Sequence, residues 1–258
     1  MHTQRISNTI WAVVPLKSPD AAKSRLRAGL DAETRRRLFF SMARQAVRTL
    51  ARTPGIAGVS VVTASPEVGA FAEREGAAVI WEERDAGTAE ACRSAVQYLS
   101  TRVDSLLMIS GDIPLISTES VAALLGGSHH PVTFGDTPPR AGSHHPVTFG
   151  DTPPRAGGEK ARLVVIAPDR RRSGTNALLC TPPAIIPPCF GKDSFQQHLA
   201  AARAQAVDVC IVESDALALD IDELEDLDEL QRRLDANPTL LSTELREALP
   251  RRAEAPAQ

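Results

Sequence analysis

Seven short apolar runs, separated by stretches with helical spacing, constrain this chain more than any other feature. The runs are Ile10–Val14, Gly58–Thr63, Ala77–Trp81, Ser105–Ile109, Leu163–Ala167, Ala177–Cys180 and Val209–Val212. After Asp31, a natural cap, Leu38, Met42, Val47 and Leu50 recur at near-helical spacing through Ala51. Glu67–Glu75, Thr88–Ser100 and Ser117–Leu125 read as shorter helices. Strand and helix in alternation predict βαβ units, hence an α/β domain with a mostly parallel, mixed sheet flanked by helices. No Gly- or Ser-rich linker divides the 258 residues, so one domain is expected over 1–238, with a disordered tail over 239–258.

Composition narrows the function classes. A net charge of −3 gives no basic surface for nucleic acid. The start, MHTQRISNT, has no apolar signal core and no run approaches a membrane span, so a cytoplasmic location is expected. Cys92, Cys180, Cys189 and Cys210 form no CxxC pair and read as buried free thiols.

One segment stands apart. GSHHPVTFGDTPPRA occurs twice in succession, at Gly127–Ala141 and Gly142–Ala156, without a mismatch. Such Pro- and Gly-rich units have little to bury, and a repeat array needs three or more, so 127–156 reads as a tandem duplication in a flexible surface loop. Adjacent histidines on an extended chain point to opposite sides, which makes His129–His130 and His144–His145 poor chelates.

The chemistry-bearing residues follow the strands. VVPLKSPDAAKSRL packs Lys17, Lys23 and Arg25 into nine residues after the first run, and SGDIPL places Asp112 after the fourth. In open α/β sheets ligands bind at the carboxyl ends of strands, and cations there beside a carboxylate suit a triphosphate with its divalent metal. Further on, Arg170–Arg172 and then Ser173, Gly174, Thr175 and Asn176 form a turn that suits an anion. Gly191 and Ser194 stand at a helix start, with Asp193 or Ser194 as cap, where phosphate is favoured. His198, one turn in, reads as a surface or packing histidine. LALDIDELEDLDEL runs from a short strand into an acidic helix, and Asp220 with Asp112 could hold a cation through hard oxygens. Trp81 and Cys92 read as core.

Taken in order, PLKSPDAAKSRL, SGDIPL, APDRRRSGTNALL, FGKDSFQQHLAAAR and LALDIDELEDL resemble the guanylyltransferases of deazaflavin coenzyme (coenzyme F-420) biosynthesis. That family comprises 2-phospho-L-lactate guanylyltransferase and its phosphoenolpyruvate- and 3-phospho-D-glycerate-using relatives. The likeness spans Ile10 to Leu234 apart from the duplicated segment. It implies a nucleotide-diphospho-sugar transferase-like fold, with GTP as co-substrate, Mg²⁺ on Asp112 and Asp220, and the phosphorylated acid at Thr175, Gly191 and Ser194. It further implies a nucleotide loop of Pro15, Leu16, Lys17 and Lys23 with Gly87, catalytic charge neutralisation by Lys17, Lys23 and Arg25, and a downstream transferase that takes the product. A homodimer stays open. The family's Gly-Leu-Asn turn is replaced by Ala86-Gly87-Thr88-Ala89-Glu90, and the duplicated loop has no counterpart there.

The implied reaction joins a phosphate monoester to the α-phosphorus of GTP. An ionised phosphate oxygen is the nucleophile, so alignment and charge neutralisation suffice and no general base is required. A molybdopterin- or sugar-phosphate-type nucleotidyltransferase would start with a Gly-rich loop, which PLKSPDAAKSR lacks. An impaired nucleotide-binding protein on the same scaffold is the non-enzyme alternative.

Overall fold

The computed structural model describes residues 9–126 and 162–250; the duplicated segment therefore lies outside the described residues. A seven-stranded sheet runs in the order β3-β2-β1-β4-β6-β5-β7. Its strands are β1 (Ile10–Pro15), β2 (Ile56–Thr63), β3 (Ala78–Trp81), β4 (Ser105–Ile109), β5 (Leu163–Pro168), β6 (Thr175–Thr181) and β7 (Asp208–Ile211). Among the described residues only β6 runs against its neighbours, antiparallel to β4 and β5, while the other pairings are parallel. The mixed, mostly parallel sheet expected from the sequence is thus present.

Helices α1 (Ala32–Arg52), α2 (Pro66–Arg74), α3 (Thr88–Leu99), α4 (Thr118–Gly126) and α5 (Ser194–Ala204) flank the sheet. Asp31 caps α1 as its position suggested, accepting from the Thr34 N–H at 2.7 Å. Side chains alternate between the two faces of each strand. Ala12, Val14, Leu107 and Ile109 pack with Phe39, Ala43, Val47 and Phe71, whereas Val13, Leu106 and Met108 pack with Cys92, Ala95, Phe195 and Leu199.

A third apolar cluster supports the site from below. Leu26, Leu38, Met42, Leu219 and Ile221 meet there with Leu227 and Leu230 of helix α7 (Leu224–Ala236), together with Leu241 and Leu245. The last two correct the expected disordered tail: residues 243–248 form helix α8 (Thr243–Ala248), whose Leu245 is fully buried, while 251–258 lie outside the described residues. Within the helix Leu245 and Ala248, three residues apart, form the buried face, Leu241 and partly buried Leu249 flank it in the same cluster, and Glu244 pairs with Arg48 at 3.5 Å and with Arg44.

Three smaller expectations are corrected. The stretch before Asp220 is a helical turn, α6 (Asp215–Ala218), because Ser214 O accepts from the Leu217 and Ala218 N–H groups. Trp81 is 55% exposed on edge strand β3, where its ring lies over Gly69. Cys92, Cys180 and Cys210 are buried, and burial pushes the Cys180 thiol up to about 12, but Cys189 is partly exposed.

Candidate active site

Reversal of β6 concentrates the chemistry. The carboxyl ends of β1, β4 and β5 lie at one edge of the sheet, and the antiparallel strand brings its amino end, Thr175 and Asn176, to that same edge. Ser110 N–H donates to Asn176 O at 2.9 Å, which carries the β4–β6 ladder to the mouth of the cleft. The cleft has a volume of about 750 Å³ and is lined by Lys17, Lys23, Arg25, Asp112, Thr175, Gly191, Ser194 and Asp220 among others. An adjoining lobe of about 300 Å³ shares Pro15, Leu16, Lys17 and Thr88 with it and contains Gly87. The structure therefore brings every sequence-predicted site residue to these two connected spaces.

The loop after β1 is shaped by local sequence. After β1 the chain turns through a 3-10 segment (Ser24–Ala28), which Leu26 pins into the third apolar cluster. Lys23 takes a left-handed conformation at φ 56° just before it, which turns its side chain inward. Opposite, the chain passes close to the β1 side chains at Gly111, where a Cβ would meet Leu16 Cδ2 at 2.5 Å and Val14 Cγ1 at 3.0 Å and those side chains would have to give way.

Electrostatics couple the two sides. The Lys23 ammonium, 6% exposed, pairs with Asp112 and lies 3.2 Å from Asp222 Oδ1. Burial opposes its charge, yet the Asp112 and Asp222 carboxylates hold its pKa above the ordinary lysine value. Sequence reasoning assigned Lys23 to the nucleotide and did not find this pairing; no local signal spans 89 residues. Arg25 reaches Glu223 at 3.3 Å on the rim, and Lys17 makes no ion pair among the described residues.

Asp220 is held differently. Leu219 and Ile221 are fully buried on one side of the connecting segment, which turns Asp220 and Asp222 to the other, as their alternation suggested. The Ile221 N–H donates to Asp112 O at 3.1 Å and fastens the segment to the β4 loop. Asn176 Nδ2 donates to Leu217 O at 2.9 Å and to Asp220 Oδ1 at 3.3 Å. Burial, then the nearby Asp112 charge, push the Asp220 carboxyl up to about 6, against the opposing Asn176 hydrogen bond. Asn176 was legible only as one residue of a polar turn; its contact with Asp220 is tertiary.

At the far wall, helix α5 begins at Ser194 with Asp193 as its N-cap residue, but Asp193 makes no side-chain capping bond. The Ser194 hydroxyl instead accepts from the Thr175 N–H at 2.9 Å, which joins the two anion-binding candidates directly. Gly191 holds φ at 128°, a conformation that a side chain would strain. His198 is buried behind this wall, a packing rather than a surface histidine.

No group of three or more metal-ligating side chains converges among the described residues. Asp112 and Asp220 offer hard carboxylate oxygens, and Mg²⁺ is commonly held by one or two carboxylates with substrate phosphates completing its shell. The donor set fits such an ion and does not fit a closed protein cage.

Known proteins resemble this chain along most of its length. The MobA-like NTP transferase domain model matches residues 36–174, and the model described as guanylyl transferase CofC like matches residues 158–236. A phosphoenolpyruvate guanylyltransferase of Conexibacter woesei is 34% identical over 225 residues, 86% of each chain. Its counterpart in Rubrobacter xylanophilus is 35% identical, covering 86% of this chain and 94% of its own. A 2-phospho-L-lactate guanylyltransferase of Methanothermobacter thermautotrophicus is 28% identical, covering 85% of this chain and 82% of its own. Among solved structures, a protein of Desulfovibrio desulfuricans assigned as a nucleotide-diphospho-sugar transferase superposes with a TM-score of 0.65 at 13% identity, covering 92% of both chains.

Proposed function

The chain belongs to the guanylyltransferase family of these relatives, and we propose that it transfers the guanylyl group of GTP to a phosphorylated three-carbon acid, releasing pyrophosphate. Phosphoenolpyruvate, 2-phospho-L-lactate and 3-phospho-D-glycerate are the candidate acids. The observation that carries this reading is the cleft itself, whose lining brings Lys17, Lys23 and Arg25, the carboxylates of Asp112 and Asp220, and the hydroxyls of Thr175 and Ser194 into one space.

In this reading an oxygen of the acid's phosphate attacks the α-phosphorus. A new P–O bond forms, the bond to the β-bridging oxygen breaks, and its electron pair departs with pyrophosphate. No proton needs to move, so the chain's work is alignment and charge neutralisation. Lys17 and Arg25 neutralise the leaving pyrophosphate. Lys23, released from Asp112 and Asp222, joins them. Thr175, Ser194 and the Gly191 turn orient the acid, while Gly87, Pro15 and Leu16 border the lobe for the nucleoside. Asp112 and Asp220 would hold Mg²⁺, which supplies electrostatic stabilisation of the phosphate oxygens when bound.

We place this reaction in coenzyme F-420 biosynthesis, in the cytoplasm, with the product passed to a downstream transferase. The described helices support that location only in that none is long and apolar enough to cross a membrane. The test measures pyrophosphate release from each of four nucleoside triphosphates with each of the three acids, with and without Mg²⁺, and identifies the product by mass spectrometry. Release from GTP with one of these acids is expected. Activity with a sugar phosphate alone would overturn the assignment.

A further inference from the structure

His198 is fully buried one turn into α5 and is bonded at both ring nitrogens. The Cys189 backbone N–H donates to Nε2 at 2.8 Å. An amide N–H can only donate, so Nε2 carries no proton. Burial lowers the imidazole pKa to about 4, and the ring is neutral near physiological pH. A neutral imidazole with a bare Nε2 holds its proton on Nδ1. That Nδ1–H faces Thr175 Oγ1 at 3.0 Å, so the threonine oxygen is the acceptor.

The consequence reaches the cleft. With its acceptor side occupied by His198, the Thr175 hydroxyl has its own proton left to donate, and no acceptor for it lies among the described residues. Thr175 lines the cleft, so that proton serves a ligand there. We propose that His198 is a positioning residue that fixes Thr175 as a donor to the phosphorylated acid, through a one-way relay from the Cys189 N–H, through the imidazole, to the threonine hydroxyl. The proposal rests on reading the Thr175–Ser194 wall as the acid subsite. Aligned donors in such a chain strengthen one another in a buried setting. The relay also ties the residue before Phe190 and Gly191 to the start of β6, so one ring sets both the direction of the donor and the position of the turn beside it.

Two isosteric changes separate direction from packing. His198→Asn keeps an N–H at the Nδ1 position and loses the Nε2 acceptor, whereas His198→Gln keeps an acceptor at the Nε2 position and loses the Nδ1 donor. The asparagine variant is expected to hold the KM for the acid within about threefold of wild type. The glutamine variant is expected to raise it tenfold or more. The KM for GTP should change in neither. Adding Thr175→Val to His198→Gln should then change the acid KM less than twofold. Equal damage from the two variants, or the reverse order, would overturn the proposal. The wild-type protein supplies an independent measurement: ¹⁵N NMR of the imidazole is expected to report the Nδ1–H tautomer, and an Nε2–H tautomer would overturn it even if both variants misfold. If wild type accepts none of the three acids, the functional reading fails, whereas the tautomer result stands on its own.

Discussion

The ammonium of Lys23 is buried against the carboxylate of Asp112, so the chain's own cation occupies one of the two carboxylates proposed for the metal. Asp222, 3.2 Å from the same ammonium, completes the arrangement. A buried charge is held only while its partner remains, and removing either leaves the other uncompensated.

Lys23→Met therefore tests whether the lysine and the metal share one place. Without the ammonium, Asp112, Asp220 and Asp222 face each other uncompensated, and Mg²⁺ should bind the nucleotide-free protein more tightly by calorimetry. Turnover should fall roughly ten- to a hundredfold, the value of one charge-assisted hydrogen bond. Unchanged Mg²⁺ affinity would separate the lysine from the metal site.

Asp112→Ala and Asp220→Ala should each abolish Mg²⁺-dependent pyrophosphate release while the circular dichroism spectrum is retained. One carboxylate comes from the loop after β4 and the other from the segment after α6, and the Ile221 N–H to Asp112 O bond at 3.1 Å fastens the two together. Wild-type turnover in either variant would remove the metal assignment.

The raised pKa of Asp220, about 6 against an ordinary 3.8, fixes a pH dependence. The folded chain holds a proton there that the unfolded chain has already released, so this group's contribution to stability is lost as pH rises from about 4 through about 6. Mg²⁺ needs the ionised form, so its apparent affinity should drop as pH falls below about 6. Asp220→Asn should abolish this pH dependence along with most of the affinity. A titration of Mg²⁺ binding between pH 5 and 8 by calorimetry, on the order of one unit around that value, decides it.

Thr175→Ala and Ser194→Ala should raise the KM for the acid far more than that for GTP, by about ten- to a hundredfold. Lys17→Ala should show the opposite bias, since Lys17 borders both lobes on the β1 side. Selective loss of GTP affinity in the threonine and serine variants would exchange the two halves of the site.

Leu245→Ala should destabilise the fold by about 2–5 kcal/mol, the usual cost of a core leucine truncation. Leu245 is fully buried and packs with Leu38 and Met42 beneath the site. A melting temperature within a degree of wild type would show that α8 contributes little to the fold.

Much of the architecture was legible because periodicity is a local property. The apolar runs match the strands to within one or two residues, and Asp31 caps α1 from its own side chain. The alternation of Asp220 and Asp222 with Leu219 and Ile221 likewise showed which way the carboxylates turn. Helix α8 was missed because six residues with a single leucine carry too little periodicity, and it becomes stable only against Leu38 and Met42, far away in the chain.

The sequence alone determined the residue types at the sheet edge, their order along the chain and the family they resemble, since those properties reside in short segments. Only the tertiary structure decided which of them meet. Lys23 finds Asp112, Asn176 finds Asp220, and His198 reaches from α5 to Thr175, across 89, 44 and 23 residues. Such pairings depend on the reversal of β6 and on the packing of buried leucines, so charge and hydrogen-bond direction in this site are set by neighbours that no local pattern records.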